Sequence, residues 1–130
     1  MTEFTGNFSL FIGRYSPLHQ GHIKLIRTVL DEGGKVCIGL RDTPKDDKNP
    51  YTIAERMGMF LSEFREEIQD ERMIIVILPD IKEIVFGRKV GWGIRQIKLD
   101  EITENISATK IRKKLREKGK WTIPYLFGSI

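Results

Sequence analysis

The 130-residue sequence predicts an α/β fold in a single domain, residues 1–130, as a three-layer sandwich with a five-stranded parallel sheet flanked by helices. Two observations predict it. Short runs that are apolar throughout, rather than alternating, recur along the chain, as expected of strands covered on both faces. Segments with apolar residues at helical spacing separate the first of these runs.

The elements follow in order. Phe8 to Ile12 is a short apolar run ending at Gly13, and reads as a buried strand. Gln20 to Asp31 places Ile23, Ile26, Val29 and Leu30 on one helical face, and Gly33-Gly34 closes it. Val36 to Leu40 is the second strand, and Arg41 to Pro50 a polar, exposed loop rich in Asp, Lys and Pro. Thr52 with Glu55 three residues later is a capping-box pattern. The helix it opens carries Ile53, Met57, Phe60, Leu61, Phe64 and Ile68 as one amphipathic stripe. Met73 to Leu78 is the third strand, Ile81 to Phe86 the fourth and Ile94 to Leu99 the fifth. Ser107 to Lys118 is the last helix, with Ile111 and Leu115 inward. The tail from Trp121 to Ile130 is apolar enough to dock on the core or on a partner subunit, which leaves a homo-oligomer open.

Composition narrows the function classes. At 40% hydrophobic and 31% charged, the chain is neither disordered nor fibrous. Twenty-two basic against eighteen acidic residues leave +4, a mild excess that favours polyanionic ligands. The single cysteine, Cys37, sits in an apolar run and reads as a buried structural thiol; it allows no intrachain disulfide, which suits a reducing compartment. There is no apolar stretch of about 18 residues to span a membrane, and Met1 to Asn7 lacks the layout of a signal peptide. A cytoplasmic protein is expected.

Parallel sheets bind ligands at the carboxyl ends of their strands, and two motifs fall there. Gly13-Arg14-Tyr15-Ser16-Pro17-Leu18-His19-Gln20-Gly21-His22 joins the first strand to the first helix. Gly13 lets the backbone leave the sheet and a ligand approach. His19 and His22, three apart, can converge at the helix start, and Gly21 between them leaves room for a phosphate. The helix N-terminus adds N–H donors and a partial positive charge. Two histidines alone would be a poor metal site, which needs further ligands; here both histidines of the chain frame an anion site instead. The second motif, Ile106-Ser107-Ala108-Thr109-Lys110-Ile111-Arg112, opens the last helix, with Ser107 as N-cap. Its hydroxyls and Arg112 make a second polyanion cradle, while the basic residues beyond Arg112 read as a solvated face.

The paired motifs resemble those of the nucleotidylyltransferase superfamily, a HxGH turn after strand one and an ISxTxxR motif near the end. Within it, the Gly13–His19 segment is similar to the GRFQPxHxGH opening of archaeal-type nicotinamide-mononucleotide adenylyltransferases, and Asn49-Pro50-Tyr51-Thr52-Ile53-Ala54-Glu55-Arg56 to their NPFTxxER segment. Those enzymes have more chain before the last motif. In length this chain is nearer glycerol-phosphate cytidylyltransferases, but Ile102 and Asn105 stand where their RTEGISTTKI motif has arginine and glycine.

The resemblance implies a Rossmann-like fold and transfer of AMP from ATP to a phosphorylated acceptor such as nicotinamide mononucleotide, with release of pyrophosphate. Cytidylyl transfer from CTP to a small polyol or sugar phosphate is the alternative. It further implies that His19, His22 and Arg112 are catalytic, that Gly13, Arg14, Gly21, Ser107 and Thr109 bind nucleotide phosphates, and that Mg2+ bridges those phosphates. Arg14, Arg41, Arg56 and Arg88 are candidates for acceptor or phosphate contacts, and Trp92, between glycines, for stacking on a base. Two other classes stand beside this reading: a sensor that binds triphosphate without turnover, and a nucleic-acid module using Lys110 to Lys120. Aromatics are not interleaved with that basic stretch, so neither nucleic acid nor membrane is expected as a partner.

Overall fold

The computed structural model describes residues 7–88, 91–100 and 108–117. Three strands, β1 (Phe8–Gly13), β2 (Lys35–Arg41) and β3 (Met73–Leu78), form a parallel sheet in the order β1-β2-β3. Helix α1 (Gln20–Asp31) links the first pair; α2 (Ile53–Glu63) and α3 (Arg65–Gln69) link the second. Helix α4 (Ala108–Glu117) stands near the end of the chain. Both crossovers step across the sheet in the same direction, so right-handed connections put α1 and α2 on the same face. That face holds the core: Val36, Ile38, Leu40 and Met73 from the strands meet Ile26 and Val29 of α1 and Met59, Phe60 and Phe64, all buried.

Local chemistry accounts for the helix ends. The Gly33 and Gly34 N–H groups donate back to Leu30 and Val29 carbonyls, and Gly33 takes φ +85, which a side chain would strain. At the start of α2, Thr52 and Glu55 exchange backbone N–H bonds at 3.1 and 2.8 Å, the expected capping box. The amphipathic stripe that follows needs two corrections. The helix breaks at Phe64 (φ −116, ψ 33) before α3, and Leu61 is 47% exposed. Arg56 and Met59 occupy the inner positions instead, because the buried face is centred on Arg56, Met59 and Phe60, and Leu61 lies one helical step beyond it.

The sheet has three strands among the described residues, not five. Ile81–Phe86 and Ile94–Leu99 form no strand. The connection lengths explain this. A parallel neighbour needs a crossover of about a dozen residues or more, whereas Ile81 follows the end of β3 after Pro79 and Asp80 alone. Apolar content made this stretch look like a strand, but without a crossover it cannot return to the start of the sheet, and Ile84, Val85, Phe86 and Ile94 remain exposed.

The expected third layer is likewise not seen among the described residues. Leu10, Ile12 and Val76 alternate onto the second face of the sheet and are 55, 37 and 40% exposed. Cys37 shares that face, in register with Leu10, and is therefore half-buried rather than sealed in a core. Its partial burial still raises the thiol above its ordinary pKa. The architecture is thus Rossmann-like α/β, with helices on one face of a three-stranded parallel sheet.

Candidate active site

The turn between β1 and α1 leaves the sheet at the carboxyl end of β1, and its two histidines lock each other in place. His19 is the N-cap of α1, and its Nδ1 accepts the N–H groups of Gly21 (3.1 Å) and His22 (3.4 Å). The His22 side chain reaches back, its Nδ1 accepting the His19 N–H at 3.2 Å. The two rings stack, with centroids 3.6 Å apart and planes 18° apart. This is a capping box built from histidines, where Ser or Thr with Glu is the usual pair. It corrects one expectation: the Gly21 and His22 N–H groups are not free for an anion, because His19 takes both.

The bonding assigns the tautomers. A neutral imidazole has one donor and one acceptor nitrogen, and each Nδ1 here accepts. Each proton therefore resides on Nε2, and the two Nε2–H groups are the donors left for a ligand. Both rings are neutral at pH 7. Burial pulls His19 down to about 4 and, with the adjacent His19 charge, His22 down to about 3. The unfolded chain protonates its histidines near pH 6.5, so it binds more protons than the native state as the pH falls below that value. Stability should decline from pH 6.5 towards pH 4, by about 1.4 kcal/mol per pH unit for each group. Urea unfolding at pH 7, 6 and 5 tests this, since most carboxylates titrate lower. An unchanged midpoint between pH 7 and 5 would contradict the buried, neutral pair.

Tyr15 packs against His22 in a T-shaped ring contact. Its backbone lies in the left-handed region (φ +53), which costs a bulky residue about 1–3 kcal/mol, and its side chain is buried. Nothing in the sequence pattern singled it out; an aromatic between Gly13 and the Pro-Leu-His turn was the available signal. Ser16, next in the chain, has a buried hydroxyl without a hydrogen-bond partner among the described residues.

The second motif reaches the same turn. Arg112 of α4 is 8% exposed and its guanidinium donates to the Ser16 carbonyl. The segment once expected as strand five delivers α4 there. Arg95 pairs with Glu32 at the end of α1, Ile97 packs on the core, and Asp100 pairs with Lys24 near the start of α1. The chain therefore runs back along α1 towards the histidines. Exposed ion pairs contribute little, so Ile97 and Arg112 are the anchors. Ser107 lies outside the described residues, as does the side chain of Thr109.

The remaining candidates divide. Gly13 closes β1 beneath the Tyr15 ring, and Gly21 is buried between the histidines. Arg14 is half-buried in the turn. Arg41 ends β2 at the ligand-facing edge, where its guanidinium pairs with Asp80. Arg88 and Trp92 are exposed, the latter at 79%. Arg56 behaves differently from its expected role. It is fully buried, and its guanidinium donates to the Arg14 (2.9 Å) and Arg41 (2.7 Å) carbonyls and to those of Tyr51 and Thr52. It ties together the two loops that frame the site instead of facing a ligand.

Comparison with known proteins agrees with this geometry. Residues 10–73 match the cytidylyltransferase-like family. The nicotinamide-nucleotide adenylyltransferase of Thermococcus onnurineus is 38% identical over 138 aligned positions, covering 86% of this chain and 74% of that protein. That of Pyrococcus horikoshii is 39% identical over 74 residues, 55% of this chain. The matched part spans 40% of the length of the Pyrococcus horikoshii protein, and the same share of a Thermococcus kodakarensis relative. Among solved structures, a bifunctional NMN adenylyltransferase/ADP-ribose pyrophosphatase from Francisella tularensis superposes with a TM-score of 0.50 at 31% identity. The superposition covers 57% of this chain and 22% of that one. The same enzyme has been solved with AMP and a manganese ion.

Proposed function

The chain belongs to the nicotinamide-nucleotide adenylyltransferase family, and on that premise we propose that it transfers AMP from ATP to nicotinamide mononucleotide and releases pyrophosphate. The observation that carries the proposal is the interlocked His19–His22 pair at the carboxyl end of β1, with Arg112 brought to the same turn from α4.

In this reading a phosphate oxygen of the acceptor attacks the α-phosphorus of ATP in line. The bond from the α-phosphorus to the bridging oxygen breaks, and the electron pair leaves with pyrophosphate. No protein nucleophile takes part. Such transfers depend on positioning and on fixed donors where charge develops. The Nε2–H groups of His19 and His22 donate to the phosphates, and being fixed and neutral they need no proton rearrangement during the step. Arg112, whose guanidinium reaches the turn at the Ser16 carbonyl, holds the leaving pyrophosphate together with Ser107 and Thr109.

Mg2+ neutralises phosphate charge when bound. Among the described residues there is no group of three His, Cys, Asp or Glu that could hold a metal ion; in this reading the ion is carried on the phosphates. Arg14 and Arg41 are the proposed acceptor contacts, and Trp92 the stacking partner for a base. A cytoplasmic setting completes the proposal; among the described residues no helix is long and apolar enough to cross a membrane.

Pyrophosphate release with Mg2+, ATP and nicotinamide mononucleotide is the expected result. Release with CTP and a polyol phosphate instead would replace adenylyl by cytidylyl transfer. Tight triphosphate binding with no release from any pair would leave a sensor.

A further inference from the structure

Tyr15 is the residue at this site whose placement is least explained by the turn itself. Its backbone holds the left-handed conformation, unfavourable for an aromatic, at φ +53. Its ring is 7% exposed and lies over Gly13, where an added Cβ would stand 3.1 Å from two ring carbons. The ring meets Phe60 edge-to-face, with centroids 4.8 Å apart and planes at 88°. The Tyr15 ring also meets His22 in a T-shaped contact, at 4.8 Å and 76°. His22 then stacks on His19. An aromatic column thus runs from the core through Tyr15 to the histidine pair.

We propose that Tyr15 is a positioning residue: its ring, packed against Phe60 and Gly13, holds the His22 imidazole so that Nδ1 meets the His19 N–H and Nε2–H faces the reacting phosphate. The inference rests on the nucleotidyl-transfer reading for its catalytic consequence, but not for its structural one. Edge-to-face pairs have a preferred geometry that an aliphatic side chain cannot supply. The ring, not the hydroxyl, does the positioning, so phenylalanine should serve as well.

The test compares Tyr15→Phe with Tyr15→Leu and Tyr15→Met in the full chain, each checked for a cooperative thermal transition. Leu and Met both fill the space without a ring edge, so one can stand in should the other not fold. Tyr15→Phe is expected to keep kcat within about threefold. The aliphatic variants should lose about 10- to 100-fold in kcat, with KM for ATP changed by less than about threefold. Independently of turnover, long-range 1H–15N spectra of the free protein should show His22 as a single Nε2–H tautomer in the wild type and in Tyr15→Phe. In the aliphatic variants the His22 signals should move to a tautomer mixture. An unchanged His22 spectrum in folded Tyr15→Leu or Tyr15→Met would overturn the proposal, whatever happens to the rate. So would loss of the tautomer in Tyr15→Phe. A wild-type protein that turns over no nucleotide would sink the functional reading while the spectra still decide the positioning.

Discussion

His22→Ala is expected to lower kcat about 100- to 1,000-fold, the usual cost of removing one fixed donor from developing phosphate charge, while leaving a folded protein. The structure adds a complication that the sequence concealed. His22 also caps α1, through its Nδ1 and the His19 N–H, so alanine should in addition cost about 1 kcal/mol of stability. His22→Asn separates the two effects. Its side-chain oxygen can accept the His19 N–H and restore the cap, but it offers no imidazole Nε2–H. Unfolding midpoints near wild type for asparagine, with turnover as poor as alanine, would place the loss in chemistry. Near-normal turnover in either variant would refute the role assigned to His22.

Arg56→Met should be the most destabilising single change near the site, by about 3 kcal/mol or more. Its guanidinium is fully buried and donates to main-chain carbonyls of the β1–α1 turn, the end of β2 and the start of α2. Methionine fills the space but leaves those carbonyls without their donor, and each is costly to bury unpaired. Burial lowers the guanidinium below its ordinary pKa, with nearby Asp42 opposing the shift, yet an arginine stays charged. Lysine at this position keeps the charge but cannot span the Arg14 and Arg41 carbonyls with a planar fork. Arg56→Lys should therefore recover only part of the stability. Denaturant titrations decide the matter: a loss below about 1 kcal/mol for Arg56→Met would show that the loops do not depend on this residue. An effect on ATP affinity alone, with stability intact, would return Arg56 to the ligand contacts.

The candidate site was legible because it is local. His19, Gly21 and His22 lie within four positions, and a strand before them with a helix after them is visible as apolar patterning. The three strands that pair and the Thr52–Glu55 box were legible for the same reason. Strands four and five were misread because apolar content reports burial or its absence of charge, not a pairing partner. The 138-position alignment with the Thermococcus onnurineus enzyme exceeds this chain's 130 residues, so that relative carries residues this chain lacks.

The roles of Arg56 and Tyr15 could not be read from the sequence. Arg56, inside a family-like segment, reads as a candidate ligand contact, and nothing in the sequence singles out Tyr15. Their functions depend on carbonyls and rings contributed by segments far away in the chain, as with Arg56 and Arg14, or Tyr15 and Phe60. The sequence by itself determined the histidine turn between β1 and α1, the parallel β1–β2–β3 core and the kinship to adenylyltransferases, because periodicity and short motifs are set by neighbouring residues. Only the tertiary structure decided which donors of the turn are already engaged within it. Whether an N–H or an imidazole nitrogen is free depends on what else it meets once the chain has folded, and here His19 and His22 engage each other.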